Sequence, residues 1–251
     1  METVLSNVGN AAFNDPFYGW IDNEQIYFAD RNTGIRRIGV NERNLALSTS
    51  DAKYDYFVQN NRLEYYGNPW QYGAMNACFA KADGLWYWGK TYGGGGIFRF
   101  AESDISPVDI SRGTNPPYAT IFPDEFVKSF VIDATNQILY AVIRDKGLYA
   151  VPLTDITAND ATKTNTKAES KYLVASFKSD SEGSVGEYVD VCQMVLDSTD
   201  GSVYFGLRAE EGSSETSGVK RWNPTTKKLE TIVSGVNVYG IALNNELSNL
   251  F

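Results

Sequence analysis

Four times along this chain an apolar residue is followed by tyrosine, and each time a glycine-led strand follows the tyrosine. The pairs are Ile26-Tyr27, Trp86-Tyr87, Leu139-Tyr140 and Val203-Tyr204. Before each lies a short polar turn and, before that, a second apolar stretch: GWIDNEQ, CFAKADGL, FVIDATNQI and MVLDSTDGS. The pattern reads as strand, turn, strand. The glycine-led segments are Gly34-Ile35-Arg36-Arg37-Ile38, Gly96-Ile97-Phe98-Arg99-Phe100, Gly147-Leu148-Tyr149-Ala150-Val151 and Gly218-Val219-Lys220-Arg221-Trp222, placed 7, 9, 7 and 14 residues after the tyrosine. A glycine that stays while the loop before it varies marks a backbone position open to positive φ at the start of a third strand. LALST, PVDIS, KYLVASF and KLETIVSG supply a fourth strand after each unit, the last reached through the turn Asn223-Pro224-Thr225-Thr226.

Four antiparallel strands per unit make a propeller blade, so the expected fold is all-β: a single β-propeller domain over residues 1–251. The tyrosine anchors lie 60, 53 and 64 residues apart, longer than the roughly 40–50 of common propeller repeats. Long loops or one further short blade must absorb the difference, and Tyr54 to Tyr66 (YDYFVQNNRLEYY) is the segment that could supply that blade. Five blades are expected, with four and six also compatible. Near the end, residues Val238 to Leu247 echo Phe17 to Ile26. They read either as a strand that closes the propeller on its N-terminal strands, removing an exposed edge, or as the start of a further copy in a larger ring.

Composition narrows the chemistry. There is no histidine, which removes Ser-His-Asp and Cys-His nucleophile activation, histidine metal sites and histidine proton shuttles. A net charge of −9 argues against nucleic acid and anionic membranes, whose binding rests on Lys and Arg. No stretch of 18 apolar residues spans a membrane, and METVLSNVGN lacks the build of a signal peptide. Cys78 and Cys192 are too few for a disulfide framework and read as buried thiols.

The first unit, Ile26-Tyr27-Phe28-Ala29-Asp30 followed by Gly34-Ile35-Arg36-Arg37-Ile38, resembles the YWTD-type and NHL-type propeller repeats, in which an aromatic strand leads through an acidic turn to an Arg-bearing strand. The other units keep Tyr and Gly but have Lys90, Ile143 and Leu207 at the acidic step. The resemblance implies the architecture, and that architecture hosts binding proteins, scaffolds and enzymes alike. A second likeness lies at Asn14-Asp15-Pro16 ahead of Ile26-Tyr27-Phe28, which looks similar to the start of five-bladed glycoside hydrolases of the arabinanase and xylosidase type. It implies Asp15 as general base; the Glu-Gly-Pro-like acid motif of that family is not found here.

Asp22, Asp133 and Asp197 end the innermost strand in three units and so could gather at one mouth of the channel. Clustered carboxylates can hold Ca²⁺ or divide into the acid and base of glycoside hydrolysis, whereas an Asp in a strand turn also caps its own backbone. Asp197-x-x-Asp200-Gly201 lacks the rest of an EF-hand loop and reads as a hairpin turn, and Gly93 to Gly96 lacks the Lys-Ser/Thr of a phosphate loop. Trp70 and Tyr72, in the connection GNPWQYG, suit stacking on a sugar or serving as a protein hot spot. The expectation is a non-catalytic binding or scaffold propeller, exported to the bacterial periplasm, cell surface or medium, that recognises a protein or a carbohydrate. The alternative is a carbohydrate-active hydrolase using channel carboxylates.

Overall fold

The computed structural model describes residues 5–7, 16–30, 34–42, 45–47, 54–59, 79–89, 96–101, 119–123, 125–143, 146–156, 165–176, 189–209 and 217–244. Strands β1 (Leu5–Asn7) and β5 (Leu45–Leu47) form a small parallel pair. Blade 1 is β2 (Pro16–Asp22), β3 (Gln25–Asp30), β4 (Gly34–Gly39) and β6 (Tyr54–Gln59), antiparallel and in that order. Blade 2 is β7 (Phe79–Ala82), β8 (Leu85–Gly89), β9 (Ile97–Ala101) and β10 (Ala119–Ile121). Blade 3 is β11 (Val127–Asp133), β12 (Ile138–Ile143), β13 (Gly147–Pro152) and β15 (Leu173–Ser176), and β14 (Asn165–Thr166) adds a parallel fifth strand to the edge of blade 2. Blade 4 is β16 (Val189–Leu196), β17 (Val203–Ala209), β18 (Gly218–Asn223) and β19 (Lys228–Ser234). The four sheets are arranged as a propeller.

The tyrosine repeat now has a physical meaning. Each anchor sits on the second strand and faces the blade that follows, filling the seam between them. Tyr27 and Trp20 of blade 1 meet Trp86 of blade 2, with ring centroids 4.7 and 5.4 Å apart. Tyr87 joins Ile97 and Ile121 against Phe130, Leu139 and Ile143 of blade 3, and Tyr140 and Val142 pack on Met194, Phe205 and Trp222 of blade 4. Because alternate residues of β12 serve opposite seams, its sequence ILYAVI is a continuous apolar run, the signature of a strand covered on both faces. Each such buried side chain contributes roughly 1.5–3 kcal/mol, which makes the seams the main source of cohesion.

The arginine of the motif is the cross-strand partner of the tyrosine. Tyr27 pairs with Arg37, Tyr87 with Arg99 and Tyr204 with Arg221, while blade 3 has Ala150 opposite Tyr140. The repeat glycines are explained by close approach. Gly96, Gly147 and Gly218 have φ of +88°, +140° and +152°, and a Cβ there would run into the backbone carbonyls of Ile121, Ala175 and Val233, all on the neighbouring fourth strands. Only glycine lets third and fourth strands meet this way.

Several expectations change. Blade 1 takes its fourth strand from Tyr54–Gln59, not from LALST, because Leu45–Leu47 pairs with Leu5–Asn7 instead. Tyr54 therefore completes a blade rather than opening an extra one, and the blades number four, below the preferred five and within the expected four to six. PVDIS lies outside the described residues; the fourth strand of blade 2 is Ala119–Ile121. KYLVASF and KLETIVSG do supply β15 and β19. Residues 236–244 do not form a closing strand. They lie on the far face of blade 4, where the Val238 N–H reaches the Leu207 carbonyl at 3.3 Å, and Gly206 leaves the space that the Val238 side chain fills. Residues 245–247 of the expected closing strand fall outside the described residues. Among the described residues no helix is long and apolar enough to cross a membrane.

Candidate functional site

Strand register decides which candidate residues share an end of the propeller. Asp22 and Asp133 are the last residues of β2 and β11, and Asp197 directly follows β16. All three thus stand at the end where first and second strands are joined by tight turns. Each carboxylate has a partner there. Asp22 Oδ2 accepts from Lys81 Nζ at 2.8 Å, across the seam between blades 1 and 2, and that ammonium also sits 5.2 Å above the Trp86 ring. Asp133, 4% exposed, accepts the backbone N–H of Asn136 at 2.9 Å and its Nδ2 at 2.7 Å. Asp197 accepts the Thr199 N–H at 2.9 Å, with the turn tied further by Gly201 N–H to the Asp197 carbonyl. These are carboxylates holding their own turns.

The turns also hold each other. Gly201, with φ +73°, rests against the Asp133 carboxylate, Asn136 and Pro224, so a Cβ there would stand 3.4 Å from Asp133 Oδ2. A second polar network crosses blade 4. Asp200 accepts from the Ser202 N–H, the Ser202 hydroxyl and Arg221 Nη2, and Arg221 also lies 5.7 Å over the Tyr204 ring and 3.6 Å from Glu230. Burial pushes the Asp200 carboxyl slightly up, but the bonds from Ser202 and Arg221 outweigh it and hold it below the ordinary value. Burial raises the Tyr87 phenol, with Arg99 pulling against it, and raises the Tyr140 phenol together with the nearby Asp133 charge. Among the described residues no three acidic or cysteine side chains stand close enough to hold a metal ion.

The other candidates attach to the opposite end. Asp15 lies outside the described residues, but Pro16 after it begins β2, which spans roughly 20 Å to Asp22 at about 3.3 Å per residue. Glycosidase carboxyl pairs stand about 5–9.5 Å apart, so Asp22 is no partner for a base beside Pro16. Trp70 and Tyr72 are likewise outside the described residues; the strand ends that flank them, Gln59 and Phe79, stand at the end remote from the aspartate turns. Lys81 and Asn136, the groups that engage the aspartates, carried no sequence signal. Arg221 did, through the Tyr-Arg repeat.

No family model matches this chain, and no curated protein matches it. Solved structures do. The extracellular domain of BT4673 from B. thetaiotaomicron, described as a one-component system, matches with a TM-score of 0.52 and 14% identity over 92% of this chain and 25% of its own. A second structure of that extracellular domain, described there as part of a hybrid two-component system, gives 0.52 and 13% over 89% and 26%. A structural genomics protein of unknown function from Bacteroides thetaiotaomicron VPI-5482 gives 0.47 and 13% over 90% and 45%. This chain spans about a quarter of the two BT4673 domains. At such identities the likeness is one of fold, and this chain is similar in architecture to part of an extracellular sensor-type domain.

Proposed function

We propose that this chain is an exported, non-catalytic binding module that takes a protein or glycan ligand at the end remote from the aspartate turns. The observation that carries this reading is the engagement of the three channel-end aspartates. Asp22 is paired with Lys81, Asp133 with Asn136 and Asp197 with Thr199, so each serves a turn or a seam. The opposite end receives the connections between second and third strands, 31–33, 90–96, 144–146 and 210–217, and those between blades, 60–78, 122–126 and 177–188. Variable connections on a rigid scaffold are where recognition is commonly built. The fold likeness to an extracellular domain supports the exported setting.

The test is a thermal-shift and calorimetry screen of the full chain against oligosaccharides, Ca²⁺ and EDTA, followed by partner capture. A ligand that binds only the folded state raises its Tm by mass action. The expected result is a saccharide or protein that raises Tm and is recovered unchanged. New reducing ends from a bound oligosaccharide would overturn the non-catalytic reading.

A further inference from the structure

The innermost strands share a feature that the repeat motif hides. In β2, β11 and β16 the register slips by one residue, between Pro16 and Tyr18, Val127 and Ser129, and Val191 and Met194. Counted back from the residues opposite the anchor tyrosines (Trp20, Val131 and Val195), the bulges fall at the same step: Phe17, Lys128 and Cys192 with Gln193. Three blades therefore bulge at one height, towards the end remote from the aspartate turns. Bulges bend a strand, re-aim side chains and gather at barrel rims and binding sites.

The chemistry at this height is cationic and hydrogen-bonding. Lys128 is only 3% exposed on an innermost strand, in a protein of net charge −9. Next to it the buried Ser129 hydroxyl accepts the Met194 N–H of blade 4 at 3.1 Å, which ties the two bulged strands together. Gln193, part-buried, accepts the Ile241 N–H through Oε1 at 3.3 Å, an arrangement that uses its acceptor and not its Nε2 donors. Taking an ammonium out of water is costly unless negative charge replaces the lost hydration. We propose that this height of the channel is a binding site for a small carboxylate, with the Lys128 ammonium reading the acid and the Gln193 amide donating beside it. The proposal rests on the reading above of the protein as a binding module used at this end. Lys128 already makes an interaction within the chain, so the acid exchanges for it, and the affinity reflects the difference.

The experiment measures Tm and calorimetric binding of the full chain with glucuronate, succinate and glucose. Glucuronate and glucose differ by the carboxylate, and succinate separates a sugar acid from a plain acid. The expected result is a rise with glucuronate, with or without succinate, and none with glucose, weakened by added salt. Lys128→Met should weaken binding by about tenfold or more, the worth of one charged hydrogen bond. Lys128→Arg should retain it, and Lys227→Met, which removes an exposed charge in the turn before β19, should not alter it. If Lys128→Met does not fold, Gln193→Leu and Lys128→Arg carry the test, with a severalfold loss expected for the first. No response to either acid, an equal response to glucose, or acid binding that survives Lys128→Met overturns the site. A neutral saccharide or a captured protein that binds while both acids fail overturns the site alone and leaves the binding-module reading standing.

Discussion

Replacing Gly147 by alanine tests whether the repeat glycines are there for close approach or only for turn geometry. Gly147 has φ +140°, and its added Cβ would collide with the Ala175 carbonyl and stand 2.9 Å from Ser176 Cα. Both obstacles are backbone of β15, which is hydrogen-bonded to β13 and cannot swing aside as a side chain can. The strained backbone costs about 1–3 kcal/mol, and forcing the strands apart costs about 1–3 more. A loss of about 2–6 kcal/mol is expected from a total that for most domains is only about 5–15. Gly84→Ala is the matched comparison, because Gly84 also has positive φ, +76°, yet nothing lies within 4 Å of its Cβ position. It should lose only the backbone strain, about 1–2 kcal/mol. For a chain of this size each kcal/mol lowers Tm by about 2–4 °C, so Gly147→Ala should melt roughly 5 °C or more below Gly84→Ala. Urea unfolding followed by tryptophan fluorescence and circular dichroism gives the same comparison at constant temperature. Equal losses in the two variants would refute the reasoning, since the obstacle from β15 would then contribute nothing.

The blade seam predicts that Leu139→Ala, fully buried between blades 2 and 3, costs about 2–5 kcal/mol, read as a lower urea midpoint. Asp133→Ala removes the acceptor for the Asn136 N–H and amide and should cost about 1–3 kcal/mol while leaving ligand binding at the other end unchanged in calorimetry. At high pH the buried Tyr87 and Tyr140 phenols, raised above their ordinary 10.0 chiefly by burial, favour the protonated folded state. Their contribution is fully present below pH 10 and lost as pH rises through the raised values, so tyrosinate absorbance should grow together with unfolding in an alkaline titration. At low pH the Asp200 carboxyl, held below its ordinary 3.8 against a small burial effect by Ser202 and Arg221, contributes stability above that ordinary value and loses it as pH falls through the lowered one. Asp200→Asn should flatten the acid limb of the unfolding curve, and an unchanged limb would count against the network.

The architecture was legible because the repeat residues are set by contacts that every blade must make. Tyr27, Tyr87 and Tyr140 had to recur because a seam needs a wide ring at that height, and Gly96, Gly147 and Gly218 because a fourth strand presses its carbonyls against them. Leu45–Leu47 misled because an apolar run says that a strand forms but not with which partner, and here it pairs with Leu5–Asn7. The aspartates misled in the other direction. Sequence placed Asp22, Asp133 and Asp197 correctly at strand ends, yet their chemistry depended on Lys81 and Asn136. Lys81 is far away in sequence, and Asn136 is silent until the turn is folded.

The bulges were illegible for a different reason. A bulge inserts one residue into a strand without changing its apolar character, so Val127-Lys128-Ser129 reads as ordinary strand until the register against Val142 and Ile143 shows one residue too many. Repetition is what gives the extra residue weight. A single bulge relieves local twist, but bulges at the same step of three blades fix the height at which the innermost strands turn their residues. The repeat thus carries two layers. Tyr and Gly hold the blades together at seam and edge, and the bulge step, free to carry Phe17, Lys128 or Cys192, is where the blades differ in chemistry while sharing one geometry.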